Sequence, residues 1–139
     1  MKTVNKAALI YIFMTVIIFA KTDYFAEGVN LFNKKRFEEA QFKFEQQIVF
    51  NPKSELSYLY LSKIFNKLDK KNLEEQNLKT VMLLNPKNEE AIYNLAKLKL
   101  SSSDYEKSKE LNKKLSSICN KFCSKNNQLK IEIENLSSK

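Results

Sequence analysis

Asn51-Pro52-Lys53 returns as Asn85-Pro86-Lys87, with the two prolines 34 positions apart. A fixed spacing of that length marks stacked supersecondary units, each too small to bury its own apolar face and each covered by its neighbour. Proline lacks an N–H and restricts the residue before it, so each tripeptide closes one helix and turns the chain toward the next. One glycine and two prolines in 139 residues supply too few tight turns for an all-β protein, and the expected fold class is all-α. At 43% hydrophobic and 29% charged residues the chain is globular.

Counted from the prolines, three units run 21–54, 55–88 and 89–122, and 123–139 is left over. Tyr24, Tyr58 and Ile92 share the fourth place, Gly28, Ser62 and Ala96 the eighth, and Phe50, Leu84 and Ile118 the thirtieth. Apolar residues at helical spacing mark buried faces, and a small eighth residue lets the paired helix come close. Ser54 before Glu55, and Asn88 before Glu89 and Glu90, are N-cap residues followed by acids. Ser103 and Glu106 read as a capping box. Helices are therefore expected over 22–34, 37–50, 55–67, 71–84, 89–101 and 104–121.

On these residues the chain resembles the tetratricopeptide repeat (TPR) family. The first unit carries the family pattern at Tyr24, Gly28, Leu31, Phe37, Ala40, Phe44 and Pro52, and the third keeps it in Ser103-Asp104-Tyr105-Glu106-Lys107-Ser108. The second departs at Lys71 and Glu74, where an aromatic and an alanine are usual, and holds the frame through Tyr58, Leu61, Phe65, Leu78 and Pro86. The resemblance implies a right-handed α-solenoid of three helical hairpins. It also implies a concave groove lined from the first helix of each unit, by Thr22, Phe25, Val29, Phe32 and Asn33, then Leu56, Leu59, Lys63, Asn66 and Lys67, then Glu90, Tyr93, Lys97, Leu100 and Ser101. Phe25, Val29, Phe32, Leu59, Lys63, Asn66, Lys67, Tyr93 and Lys97 form the candidate partner-binding set. Such a groove, apolar at one end and lysine-bearing toward the other, suits a peptide or helix with an apolar anchor and an acidic group. Some family members hold a peptide's terminal carboxylate with Lys and Asn on these helices. Phe25 and Val29 replace polar residues there, so that clamp is not expected. The alternative is that Phe25, Val29 and Phe32 only pack against the N-terminal segment.

Beyond the third unit, Leu111, Leu115, Ile118, Phe122, Leu129, Ile133 and Leu136 mostly keep a spacing of three or four, with a polar gap at 124–128. Either a separate capping helix covers the open end of the stack or one long final helix continues. Leu129, Ile131 and Ile133 alternate as a strand would, but no second strand is available to pair, and helix is the expectation. Cys119 and Cys123 stand four apart, on one flank if the helix is intact and then too distant for an unstrained disulfide. Two semi-buried free thiols are expected; a local disulfide where the helix bends, and a thiol pairing between chains or binding metal, are the alternatives. On the same continuous helix Lys107, Lys114, Lys121 and Lys125 would form a basic stripe, facing an anionic membrane or acidic partner or serving as an ordinary solvated flank.

The chain has no His, no Trp and no second Gly. Imidazole acid–base catalysis, Ser-His-Asp chemistry, His-containing zinc sets and Gly-rich phosphate loops are thereby set aside, and no catalytic, cofactor-binding or metal-binding residue is expected. The acid pairs Glu38-Glu39, Glu74-Glu75 and Glu89-Glu90 read as solvated carboxylates favoured by helix N-termini. Net charge is +8, and Arg36 is the only arginine. Nucleic-acid readers rely on arginine forks, so no nucleic-acid partner is expected.

Lys2 and Lys6 precede an unbroken apolar run from Ala7 to Ala20. As a helix it rises about 21 Å, short of the roughly 30 Å hydrocarbon core, and it suits a signal peptide over 1–20. Ile18 is large for the −3 position of a cut after Ala20, which keeps an uncleaved anchor in play, and a buried helix is the third reading. Export would place the rest of the chain outside the cytoplasm, periplasmic, secreted or anchored. The expected function is a non-enzymatic scaffold binding another protein of the cell envelope, with membrane contact possible through 7–20. Attachment to an anionic surface through the basic C-terminal helix, and a cytoplasmic chaperone-like role, are the alternatives.

Overall fold

A computed structural model describes residues 23–137, and the signal or anchor segment expected over 1–20 lies outside them. Seven helices occur among the described residues: α1 Tyr24–Asn33, α2 Phe37–Phe50, α3 Glu55–Lys67, α4 Lys71–Leu84, α5 Glu89–Ser101, α6 Tyr105–Ser116 and α7 Cys123–Ser137. They pack as the antiparallel pairs α1–α2, α3–α4 and α5–α6, each leaning on the next, with α7 laid against α6.

The 34-residue period reappears in the backbone. Among the described residues, Lys35, Asp69 and Ser103 have positive φ, at 60°, 52° and 59°. Each sits just past the first helix of its unit and closes it in the same way. The amide of the following residue donates to a carbonyl five residues back: Arg36 to Leu31 (3.0 Å), Lys70 to Phe65 (2.8 Å) and Asp104 to Lys99 (2.9 Å). This is the Schellman closure, which usually employs glycine; a side chain in that region costs about 1 kcal/mol. The expected capping box at Ser103 is therefore not formed. Ser103 belongs to the left-handed turn, and Asp104 caps α6, its Oδ1 accepting from the Lys107 amide at 3.2 Å. Asn88 caps α5 as expected, accepting from the Ala91 amide at 2.8 Å, whereas the Ser54 hydroxyl pairs with that of Ser57 instead.

On the other side of the stack the first residue of a unit closes the unit's last turn. Glu55 Oε1 accepts from the side-chain amides of Asn85 (3.0 Å) and Asn88. Glu89 Oε2 accepts from the backbone amides of Lys121 (2.9 Å) and Phe122 (2.8 Å). The backbone N–H groups of Asn120, Phe122 and Lys121 hold the Glu89 carboxyl below the usual carboxylate range. Read from sequence as half of a solvated pair, Glu89 is a latch. Glu39 is held by Arg36, and Glu75 by Lys79 (2.7 Å) and Lys99 (2.8 Å), so these acids too are structural partners.

The chain beyond Ser116 corrects two expectations at once. The last repeat helix stops there instead of running to 121, and residues 117–122 form an irregular turn. Cys119 lies in this turn and Cys123 opens α7, so their Cα atoms approach to 5.2 Å and the two are disulfide-bonded, not free thiols. The bar to pairing applied to an intact helix, and the helix is broken. The break also dismantles the lysine stripe. Lys107 and Lys114 remain on α6, Lys107 bound to Glu110 at 2.6 Å; Lys121 sits in the turn; Lys125 is on α7 with its ammonium 4.7 Å from the Phe122 ring.

The capping helix is separate, and it keeps the repeat frame, since α3, α5 and α7 open at Glu55, Glu89 and Cys123. Its Leu129 and Ile133 join the core of the second and third units with Leu78, Val81, Ile92, Leu95, Leu111 and Leu115. Asn112 and Asn126, both buried, bind each other: Asn112 Nδ2 donates to Asn126 Oδ1 (2.7 Å), and Asn126 Nδ2 donates to the Asn112 carbonyl (3.0 Å). A polar pair satisfied in this way fixes the register of α7 on α6. A separate aromatic core joins the first two units around Phe44, Ile64 and Phe65. Gly28 permits it, because a Cβ there would lie 2.8 Å from Phe44 Cε1. The Phe44 ring is in turn stacked on Tyr60, centroids 4.9 Å apart.

Candidate partner-binding groove

The first helices of the units, α1, α3 and α5, enclose an open cavity of about 670 Å³. Six of the nine candidate residues line it: Phe32 from α1, Lys63, Asn66 and Lys67 from α3, Tyr93 and Lys97 from α5. The other three lie elsewhere. Leu59 is 4% exposed and belongs to the core with Leu78 and Ala91, because its side of α3 is covered by the third unit. Phe25 and Val29 pack on the aromatic core, with the Phe25 ring 5.7 Å from both Phe44 and Tyr60. The expected apolar end of the groove is thus mostly consumed in joining the first two units. Phe32 remains in the cavity wall, edge-on to Tyr60 at 5.2 Å.

Residues outside the candidate set complete the site. Ser62, Asn94, Leu98 and Ser101 join from α3 and α5, and Asp69, Lys71 and Glu74 from the α3–α4 turn and α4. Glu74 stands where Ala40 and Ser108 stand in the other units and is 4% exposed. Both its oxygens accept from Asn66 Nδ2, at 3.1 and 3.2 Å. Burial pushes its carboxyl above the usual range, and the Asn66 hydrogen bond opposes that shift. The signal for it was visible as a departure from the repeat pattern at Lys71 and Glu74.

The lysines divide into two kinds. Lys63 Nζ is 2.8 Å from Glu90 Oε1 and 5.0 Å from the Tyr60 ring centre, so it braces α3 against α5. Lys67 and Lys97 make no ion pair with another described residue, and the charge of Lys71 acts on the Glu74 carboxyl. Lys97 Nζ lies 5.9 Å from the Tyr93 ring, and Lys125 reaches the same ring at 6.0 Å from α7. Tyr93 also contacts Phe122, centroids 5.5 Å apart. The cavity therefore offers the ammonium groups of Lys67, Lys71 and Lys97 beside the carboxyl groups of Asp69, Glu74 and Glu90, together with the Asn94 amide and the rings of Phe32 and Tyr93.

No family model and no curated protein matches the chain. Solved structures do. The first TPR domain of Spaghetti (RPAP3), bound to the HSP90 peptide SRMEEVD, superposes with TM-score 0.71 at 15% identity over 82% of this chain and 90% of that one. The TPR2B domain of yeast Sti1, in a complex with pHsp70, gives 0.75 at 15% identity over 82% and 95%. The chain has the TPR fold. The Yersinia enterocolitica type III secretion chaperone SycD, in complex with a peptide of the translocator YopD, also gives 0.75 at 15% identity, over 88% of this chain and 98% of that one. The all-α solenoid of three TPR hairpins with a C-terminal cap is as the resemblance implied.

Proposed function

We propose that the protein is a non-enzymatic scaffold whose TPR groove binds a segment of another protein, extended or helical, carrying acidic groups beside an apolar side chain. The observation that carries this reading is the pair of cavity lysines Lys67 and Lys97, which form no ion pair with another described residue and stand beside Phe32 and Tyr93. An acidic ligand would neutralise them, and the aromatic rings would cover its apolar side chain. That the first TPR domain of RPAP3 and the chaperone SycD are each seen with a bound peptide supports the same use of the groove here. The apolar run Ala7 to Ala20 supports a partner in the cell envelope, with the repeats outside the cytoplasm or tethered to the membrane.

The groove is tested by measuring the affinity of the full chain for labelled peptides bearing two or three acids and one aromatic residue, against their lysine-substituted counterparts. Lys67→Glu combined with Lys97→Glu is expected to weaken the acidic peptides at least tenfold, and rising salt to weaken them in the parent protein. Equal affinity for acidic and basic peptides, unaltered by the substitutions, would reject the reading. Cell fractionation with sequencing of the mature N-terminus addresses location: recovery in the cytoplasm with residues 1–20 intact would reject the envelope assignment.

A further inference from the structure

The two edges of the solenoid differ in character. One carries the left-handed turns around Lys35, Asp69 and Ser103. The other carries the turns 51–54, 85–88 and 117–122 together with the start of α1, an arrangement tied together by the Tyr24–Phe50 stack and by the reach of Glu55 and Glu89. Four large apolar side chains stand exposed on this second edge: Leu83 (81%), Val49 (77%), Phe50 (73%) and Leu56 (52%). Val49 and Leu83 occupy the same place in successive units, as do the exposed Lys53 and Lys87, and Lys121 follows in the third turn. The nearby acids are engaged: Asp23 caps the Ala26 amide, Glu55 holds Asn85 and Asn88, and Glu89 holds the backbone of 121 and 122.

Exposed apolar side chains interleaved with unpaired lysines form the surface that suits a bilayer interface, apolar groups entering the acyl boundary while ammonium groups meet lipid phosphate. The chain itself supplies the direction. The apolar run ends at Ala20, and Lys21 and Thr22 lead directly to Asp23, the cap of α1 on this same edge. We infer that this edge rests on an anionic lipid surface, with Val49, Phe50 and Leu83 as the apolar contacts and Lys53 and Lys87 as the phosphate contacts. The surface is distinct from the peptide groove, whose Lys67 and Lys97 face the cavity, so either assignment can fail alone.

The sequence has no Trp, so a single introduced tryptophan reports its own surroundings. Full-length chain carrying Leu83→Trp, and a control carrying Asn72→Trp at the start of α4 on the opposite edge, are mixed with phosphatidylglycerol vesicles containing brominated acyl chains. Emission of Leu83→Trp is expected to shift to the blue and to be quenched at least twofold more than that of Asn72→Trp. Adding Lys53→Glu and Lys87→Glu is expected to halve that quenching, as is replacing phosphatidylglycerol by phosphatidylcholine. Equal quenching at the two positions, no quenching at Leu83→Trp, or quenching indifferent to both charge changes would each overturn the inference.

Discussion

The turn at Asn85-Pro86-Lys87-Asn88 and the turn at Cys119-Asn120-Lys121-Phe122 hold the same place in successive units and are made from different parts. In the first, proline fixes the backbone, Asn85 Oδ1 accepts from the Lys87 amide at 3.1 Å, and the two asparagine amides reach Glu55. In the second there is no proline. A disulfide ties Cys119 to Cys123, and backbone amides take the place of asparagine side chains on Glu89. The common element is the acid that opens the unit. In the second and third units that acid holds a closed turn, once through asparagine amides beside a proline and once through backbone amides beside a disulfide.

If the disulfide does for the third turn what proline does for the second, removing it should have the largest effect. Closing so short a loop restricts the unfolded chain by about 2 kcal/mol. Cys119→Ser with Cys123→Ser, or reductant alone, is expected to lower the urea midpoint correspondingly and to loosen α7, read by amide exchange at Leu129 and Ile133. An unchanged midpoint would break the equivalence. Pro86→Ala should cost less, about 0.5–1 kcal/mol, because only the entropy of the unfolded turn changes while Glu55 keeps both asparagines. A loss as large as that of the disulfide would show that proline, not the acid, holds the second turn.

Glu89→Gln sharpens the comparison with the smallest effect, since the carboxylate is exposed and solvent-screened. Its folded pKa is depressed, so the stability it contributes is present above the unfolded value near 4.3 and is lost as pH falls through the folded value. The variant should therefore be less stable than the parent at pH 7 and indistinguishable from it in strong acid. A difference that persists in acid would mean the carboxylate's charge is not what holds the turn.

The frame and five of the helices were legible because prolines, small eighth residues and apolar spacing all report the same period. The left-handed closures were not. Lys35, Asp69 and Ser103 occupy backbone that glycine would announce, and packing of the hairpins overrides their local preference. The break after Ser116 was hidden by Ile118 and Phe122, which extend the helical spacing although they lie in the turn. The better signal was the step from Glu55 to Glu89 to Cys123, which carries the frame one helix further. In the groove, the family positions Phe32, Lys63, Asn66, Lys67, Tyr93 and Lys97 lie on the cavity wall. Leu59 lies in the core instead, and the packing of Phe25 on Tyr60 and Phe44 could not be read from sequence, because it depends on contacts across units.

Glu55 and Glu89 each close a turn belonging to their own unit, and neither needs a residue of the next unit to do so. What one unit asks of its successor is then a matching apolar face and partners for a few ion pairs such as Lys63–Glu90 and Glu75–Lys99. The segment 55–88 is in this sense a cassette, and the joints after Ser54 and Asn88 are where a copy of it could be spliced in to lengthen the array without opening an existing latch.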